Sequence, residues 1–260
     1  MIVRKVMCYV AALAVLAASS SAALELAYGA EADVVSDYVW RGMVFSPGFV
    51  AEPSAYVSFN GITPALWANV QLEDEYNTLD ELDFSISYNR SFSGLYVEAG
   101  YVYYYLPEVE VEVSGGGAAP ETEKVDPDDT QDIFVLLAYP VGSIASVYSD
   151  HYVTVAGNSG GYYFDAGLGL GHSCTDYLGL DAYVQAGVGS PKFNDYNLGQ
   201  DKFALNLVEA GVSATFNFLG VMYVRPHASY STLVDGDLRD AVGEDDASVF
   251  FGGAAFGIEG

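Results

Sequence analysis

Cysteine is almost missing from this sequence, with Cys8 and Cys174 the only two in 260 residues. If the first 22 residues are removed, Cys174 stands alone and no intramolecular disulfide can staple the mature chain. That excludes the disulfide-rich secreted scaffolds. Positive charge is scarce as well: nine Lys and Arg stand against 35 Asp and Glu. Nucleic-acid binding needs a basic footprint, so it is excluded as a partner class. Histidine occurs three times, at positions 151, 172 and 227. No His/Cys cluster has zinc spacing, and there is neither a phosphate loop nor a nucleophile elbow, so no cofactor is implied. Beyond the N-terminus no apolar run approaches the roughly 20 residues that a membrane-spanning helix needs.

The N-terminus itself has the layout of an export signal. Arg4 and Lys5 form a charged start, residues 6–17 an apolar stretch, and Ser20 and Ala22 a small-residue cleavage site, with Ser21 and Ala23 as the alternative. The expected division is a signal peptide over 1–22 and a mature domain over 23–260. Cys8 precedes the apolar stretch, which argues against a lipoprotein signal. All the acids lie after residue 22 while two of the basic residues lie before it, so the mature net charge is 7 − 35 = −28.

The chain has alternation in abundance. In 82–92, Leu82, Phe84, Ile86, Tyr88 and Phe92 fall on one side and Asp83, Ser85, Ser87, Asn89 and Ser91 on the other. Successive side chains of a β-strand point to opposite faces, so such a segment lies between oil and water. Segments of this kind recur at 30–42, 51–59, 64–73, 81–92, 95–106, 131–139, 143–155, 161–172, 177–189, 203–216, 219–231 and 247–260. Their connections alternate between short ones (61–63, 93–94, 140–142) and longer ones (43–50, 74–80, 107–130, 190–202, 232–246). Short turns at one end and long loops at the other characterise transmembrane β-barrels. The expectation is an all-β, antiparallel barrel of about 12 strands in the outer membrane of a Gram-negative bacterium. Its outer face would meet membrane lipid. A soluble sandwich also alternates, but loop asymmetry, even strand length and a signal without disulfides count against it.

Aromatic residues gather near segment ends, as in interfacial girdles. Tyr38, Trp40, Tyr101, Tyr103 and Tyr105 are expected on the loop side, and Tyr88, Phe92, Phe216 and Phe256 on the turn side. Segments 131–139 and 143–155 alternate too poorly to fix a register. The last segment ends on Gly260, where outer-membrane barrels usually finish with an aromatic residue.

The inward phase is acidic. Asp33, Asp37, Asp83, Glu98, Asp165, Asp181, Glu209 and Glu259 are expected inside, against Arg41 and Arg225. Many carboxylates in an enclosed space require water, cations or arginines beside them. Two interiors meet that requirement: a water-filled, cation-preferring passage, or a narrow interior plugged by ion pairs around the two arginines. Twelve strands enclose a width between filled barrels and wide porins, which leaves both open. Further acids crowd the segments 108–130 and 232–246, as solvated loops or as weak sites for divalent cations.

One pair suggests catalysis. His227 and Ser229 stand two apart on one face, the spacing of an H-x-S nucleophile and base in outer-membrane lipid hydrolases. Their phase matches Arg225, pointing inward and away from lipid. The function expected is therefore passive passage of small polar or cationic solutes, with a lipid-modifying hydrolase or a non-conducting structural or adhesion barrel as alternatives. Oligomeric state is left open.

Ser36, Asp37, Tyr38, Trp40, Arg41 and Gly42 together resemble the N-terminal S-D-Y-x-[FW]-R-G motif of the TorF-like family of proteobacterial porins. The tyrosines at 101–105 with Leu106 and Pro107 are similar to that family's tyrosine-rich segment. Ser149, Asp150, His151 and Tyr152 are similar to a later S-D-Y element, with His151 as the departure. The resemblance implies an outer-membrane β-barrel and a porin, with little defined about the solute.

Overall fold

A computed structural model describes residues 25–73, 78–113, 121–125 and 127–260. The expected signal peptide and the loop residues 74–77 lie outside the described residues. The strands are β1 (Leu26–Trp40), β2 (Met43–Phe59), β3 (Ile62–Gln71), β4 (Leu79–Phe92), β5 (Leu95–Tyr105), β6 (Val109–Val113), β7 (Glu121–Val125), β8 (Thr130–Val141), β9 (Ala145–Ala156), β10 (Tyr162–Thr175), β11 (Leu178–Gly189), β12 (Ala204–Phe218), β13 (Met222–Leu233) and β14 (Ser248–Glu259). Two short helices, α1 (Pro191–Leu198) and α2 (Gly236–Val242), follow β11 and β13.

Twelve of these strands close into one antiparallel barrel, with β1 joined to both β2 and β14. The strands β6 and β7 form a separate hairpin between β5 and β8, which pair directly. Closure runs through Gly29 opposite Glu259 and Val35 opposite Gly253. It is extended by the exchange of backbone hydrogen bonds between Tyr28 and Gly260 at 2.8 and 3.0 Å. A closed sheet leaves no edge, so no backbone donor on the wall is left facing outward.

The tight turns sit where the chain accepts positive φ. Asn60-Gly61, Ser93-Gly94 and Leu219-Gly220 each carry two consecutive positive φ values, the pattern of the type I′ hairpin. These turns define one end of the barrel, the turn end. The helices and the β6–β7 hairpin mark the opposite, loop end.

Facing follows the alternation. On β4, Phe84, Ile86 and Tyr88 are exposed while Ser87 is buried. The same holds on β11, where Leu180 and Val184 point out and Tyr183 and Gln185 hydrogen bond inside. The poorly alternating β8 is resolved too. Ile133 and Tyr139 are exposed, and the opposite face buries Phe134, Leu136 and Ala138. Alternation fails there because both faces are apolar, the inner one packing against Val102 and Tyr104 of β5.

Four expectations need correction. Residues 43–50 belong to β2, because β1 and β2 meet in a two-residue turn at Arg41 and Gly42 rather than in a loop. Tyr38 does not join an outer aromatic girdle. The β1–β2 register shifts between Val35 and Asp37, where β2 spends three residues against two of β1, and at this irregularity the buried phase of β1 passes from Val35 to Tyr38. Tyr38 therefore turns inward, 5.3 Å from the Trp67 ring, and hydrogen bonds to Glu81 at 2.8 Å. By the same shift Asp37 leaves the inward face: it lies opposite Pro47, on the phase away from Tyr38, and accepts a hydrogen bond from Gly48 N. Trp40 likewise leaves the girdle and packs within a buried cluster at the loop end.

An arginine at Val184, which is 43% exposed on the outer wall, is expected to destabilise the folded barrel by about 2–4 kcal/mol in lipid. An arginine at the adjacent, inward Gln185 is expected to cost much less. Urea titration of both variants in phospholipid vesicles checks this, and equal losses would contradict the facing of β11.

Candidate functional site: an acidic lumen under an arginine cap

The interior divides into a filled part and a hollow part. The filled part lies along β13, β14 and β1–β4, where acids meet their partners. Arg225 and Tyr223 both donate to Glu31, the tyrosine at 2.6 Å. His227 sits 2.9 Å from Asp33. Asn69 donates to Ser46 and Asp80, tying β3 to β2 and β4. Glu98, wholly buried, accepts from Tyr96 at 2.7 Å. Asp83 faces the same interior, in register with Trp67 and Tyr104.

The hollow part is a cavity of about 710 Å³ along β8–β12. Its mouth is at the turn end, beside Gly142, Ser173 and Asp176, with exposed Glu259 at the rim. Asp150, Asp165, Asp181 and Glu209 line it further in. Asp150 and Asp165 are direct cross-strand partners. Like charges placed opposite each other repel, so this pair sets an electrostatic cost on the wall. Glu209 is held by Tyr183 at 2.6 Å and Gln185 at 3.4 Å.

At its inner end the cavity stops on Arg41. The β1–β2 turn folds in across the mouth of the barrel, and Gly42 is required at its tip. Its φ is +87°, and a Cβ there would lie 2.9 Å from Leu233 and 3.1 Å from Leu207. This places the Arg41 guanidinium among four rings: Trp40 at 4.2 Å, Tyr163 at 4.4 Å, Tyr152 at 4.6 Å and Phe193 at 5.1 Å from their centroids. Asp132 lies 3.5 Å from Nη2. Arg41 is only 6% exposed.

The helices complete this cap. Ser190 accepts the Phe193 amide at the start of α1, Pro191 takes a first-turn position where no donor is needed, and Gly199 ends the helix in the left-handed region. Two fully buried asparagines bind the helix to the wall: Asn206 donates to Asn194 at 2.6 Å and accepts from Gly189 N at 2.9 Å. Phe193 is thereby fixed over the lumen. Between the helices, Lys202 donates to Asp235 at 2.8 Å and Asp237 at 2.6 Å. The ammonium holds the Asp235 carboxyl below the ordinary carboxylate range. Its contribution is present above the unfolded carboxylate value and lost as pH falls.

Of the ten residues expected in the lumen, Asp165, Asp181, Glu209 and Glu259 share the cavity with Arg41, and Asp33, Asp83, Glu98 and Arg225 stand in the filled part. Asp37 is the exception corrected above. Sequence reading missed the inward acids Glu31, Glu52, Glu81, Asp132 and Asp150, and the cage rings as a group. Glu31 and Glu81 share the phase of Asp33 and Asp83 and were legible from it. The cage draws on four separate segments and has no local signature.

His227 and Ser229 both face the lumen but are not joined. Ser229 lies 3.0 Å from the Tyr183 hydroxyl, while His227 engages Asp33. Among the described residues no group of three or more His, Cys, Asp or Glu is arranged to hold a metal ion. Of the 232–246 acids, Asp235 caps α2 and Glu244 pairs with Arg239 at 2.6 Å.

No family model and no curated relative matches the chain. Solved barrels do. The KdgM porin, solved with disordered oligogalacturonate, is 9% identical over 90% of this chain and 97% of its own, with a TM-score of 0.48. An outer membrane channel from Pseudomonas putida F1 is 7% identical over 93% and 97%, at 0.47. The NanC porin is 11% identical over 91% and 98%, at 0.45. At such identities and scores no activity passes from those proteins to this one.

Purified protein is expected to release no fatty acid from phospholipid or lipid A, with Ser229→Ala indistinguishable from the parent. A thin-layer assay of labelled lipid checks this. Release that depends on Ser229 would contradict the inward assignment of the pair.

Proposed function

We propose that this protein is a porin-like channel of the Gram-negative outer membrane, exported by residues 1–22 and passing small polar or cationic solutes passively. The observation that supports it best is the acid-lined cavity, open at the turn end of a 12-strand barrel whose outer wall exposes Val184, Leu168, Ile133 and Phe256. An apolar outer band around a polar interior is the arrangement of membrane barrels with an aqueous lumen. Low-dielectric walls focus the field of the acids along that lumen, which concentrates cations. The segment resembling the TorF-like motif is the hairpin that closes the loop end. In this chain that hairpin carries Arg41 to the end of the cavity.

Closure by Arg41 also favours a second reading, a barrel that does not conduct. Planar-bilayer recording separates the two. The channel is expected to prefer K⁺ over Cl⁻, with the preference weakening as the screening length falls from about 10 Å at 0.1 M salt to about 3 Å at 1 M. Neutralising Asp83, Asp165 and Asp181 together should move the reversal potential toward the anion side, while deletion of 114–124 leaves most of the preference in place. Anion selectivity, or selectivity lost only with the loop, would contradict a lumen mechanism. Silence of both the parent and Arg41→Ala would establish the non-conducting barrel.

A further inference from the structure

The manner in which Arg41 is held differs from that of the other structural arginines. Arg225 is hydrogen bonded to Glu31, and Arg239 to Glu244 at 2.6 Å. Among the described residues the Nη2 of Arg41 is buried without a hydrogen bond, and Asp132 Oδ2 lies 3.5 Å from it. What surrounds it is ring faces. Four centroids within 5.1 Å make an aromatic cage, the arrangement that recognises soluble cations.

The cage and its occupant belong to different parts of the fold. Tyr152, Tyr163 and Asp132 stand on β9, β10 and β8, each paired on both sides in the closed wall. Phe193 is fixed through the buried asparagine pair. Arg41 arrives on a hairpin whose register slips twice, between Val35 and Asp37 and between Tyr38 and Val39. It sits at φ +52°, where Asn or Gly is the usual choice for such a turn. A fixed wall therefore receives a side chain from the element that is less firmly registered. The acid-lined cavity leads to the same point: Arg41, Tyr152, Tyr163, Asp165 and Glu209 share one lining. The Tyr163 hydroxyl is buried there with no hydrogen-bond partner among the described residues, leaving an acceptor for an arriving N–H.

We propose that this cage is a recognition site for guanidinium-bearing solutes, and that Arg41 occupies it as an internal stand-in which such a solute displaces. The proposal deepens the channel reading and rests on it for passage, though not for binding. A guanidinium is planar, delocalised and weakly hydrated, so it can lie against ring faces. K⁺ keeps its water and gains little there. A solute of this class would thus take the place of Arg41, with the lumen narrow while the cage is filled and wider when it is empty.

The test refills the cage from solution. In the refolded full-length mature protein, Trp67→Phe leaves Trp40 as the single tryptophan reporter. Arg41→Ala vacates the site, and Arg41→Gln, which keeps most of the stem, serves if the alanine variant fails to fold. Guanidinium chloride at low millimolar concentration is the probe. Urea, of the same shape without charge, and sodium chloride are the controls. The vacated variant is expected to conduct several-fold more in KCl than the parent. Guanidinium should return that current toward the parental level and shift Trp40 emission saturably, with urea and sodium inactive. Tyr152→Leu in the same background should weaken the emission response about tenfold. A saturable emission shift without current in any variant would uphold the cage and overturn the channel reading. Current in the vacated variant with no response to guanidinium, or an equal response to urea, would overturn the cage.

Discussion

Everything in this molecule depends on the pairing of its backbone. A wall that exposes Phe84, Leu168, Val184 and Phe250 outward cannot leave amide groups beside them unpaired, because each would cost several kcal/mol in lipid. The sheet answers by closing, and the last link is the β1–β14 ladder with its extension from Tyr28 to Gly260. Closure then dictates the rest. Side chains can only alternate between lipid and lumen, and whatever is polar must share the inside.

The inside is correspondingly crowded with acid, and the structure accommodates it in two ways. Along the filled part, carboxylates are met singly: Glu31 by Arg225 and Tyr223, Asp33 by His227, Glu81 by Tyr38. Burying such groups pairwise adds little stability over an apolar core, but removing one partner leaves a costly charge. Along the hollow part, Asp150, Asp165 and Asp181 face a cavity instead, where water and cations can do the same work. Arg41 stands at the boundary between these solutions, and its rings replace water around the guanidinium.

Strand number, strand order and facing were legible because a period of two is written directly into β3, β4, β10 and β11. The register of β8 and β9 was not. Phe134, Leu136 and Tyr152 pack inside as apolar residues opposite apolar outer ones, so periodicity has nothing to distinguish. The register slip after Val35 spends its extra residue on β2, at Gly48-Phe49 beside Pro47, so nothing on β1 itself announces that Tyr38 turns in and Asp37 out. The length of β2 was hidden because Pro47 and Gly48 read as loop residues. The Ser190-Pro191 start and Gly199 end of α1 carry ordinary cap chemistry, yet eight residues between strands were read as connection. Asp33, Asp83, Glu98, Asp165, Asp181, Glu209 and Glu259 followed from phase alone. The cage did not, since Arg41, Asp132, Tyr152, Tyr163 and Phe193 meet only after the barrel closes and the first hairpin bends across it.

The field inside the lumen can be measured directly by thiol modification. Asp165→Cys in a Cys174→Ser background presents one thiol to the cavity, and its reaction rates with a cationic and an anionic methanethiosulfonate of equal size report the local potential. If acids govern the lumen from the turn end to Arg41, the cationic reagent reacts faster by on the order of tenfold at low salt, with the ratio shrinking as salt screens the field. A ratio of one or below at low salt would contradict an acid-governed lumen.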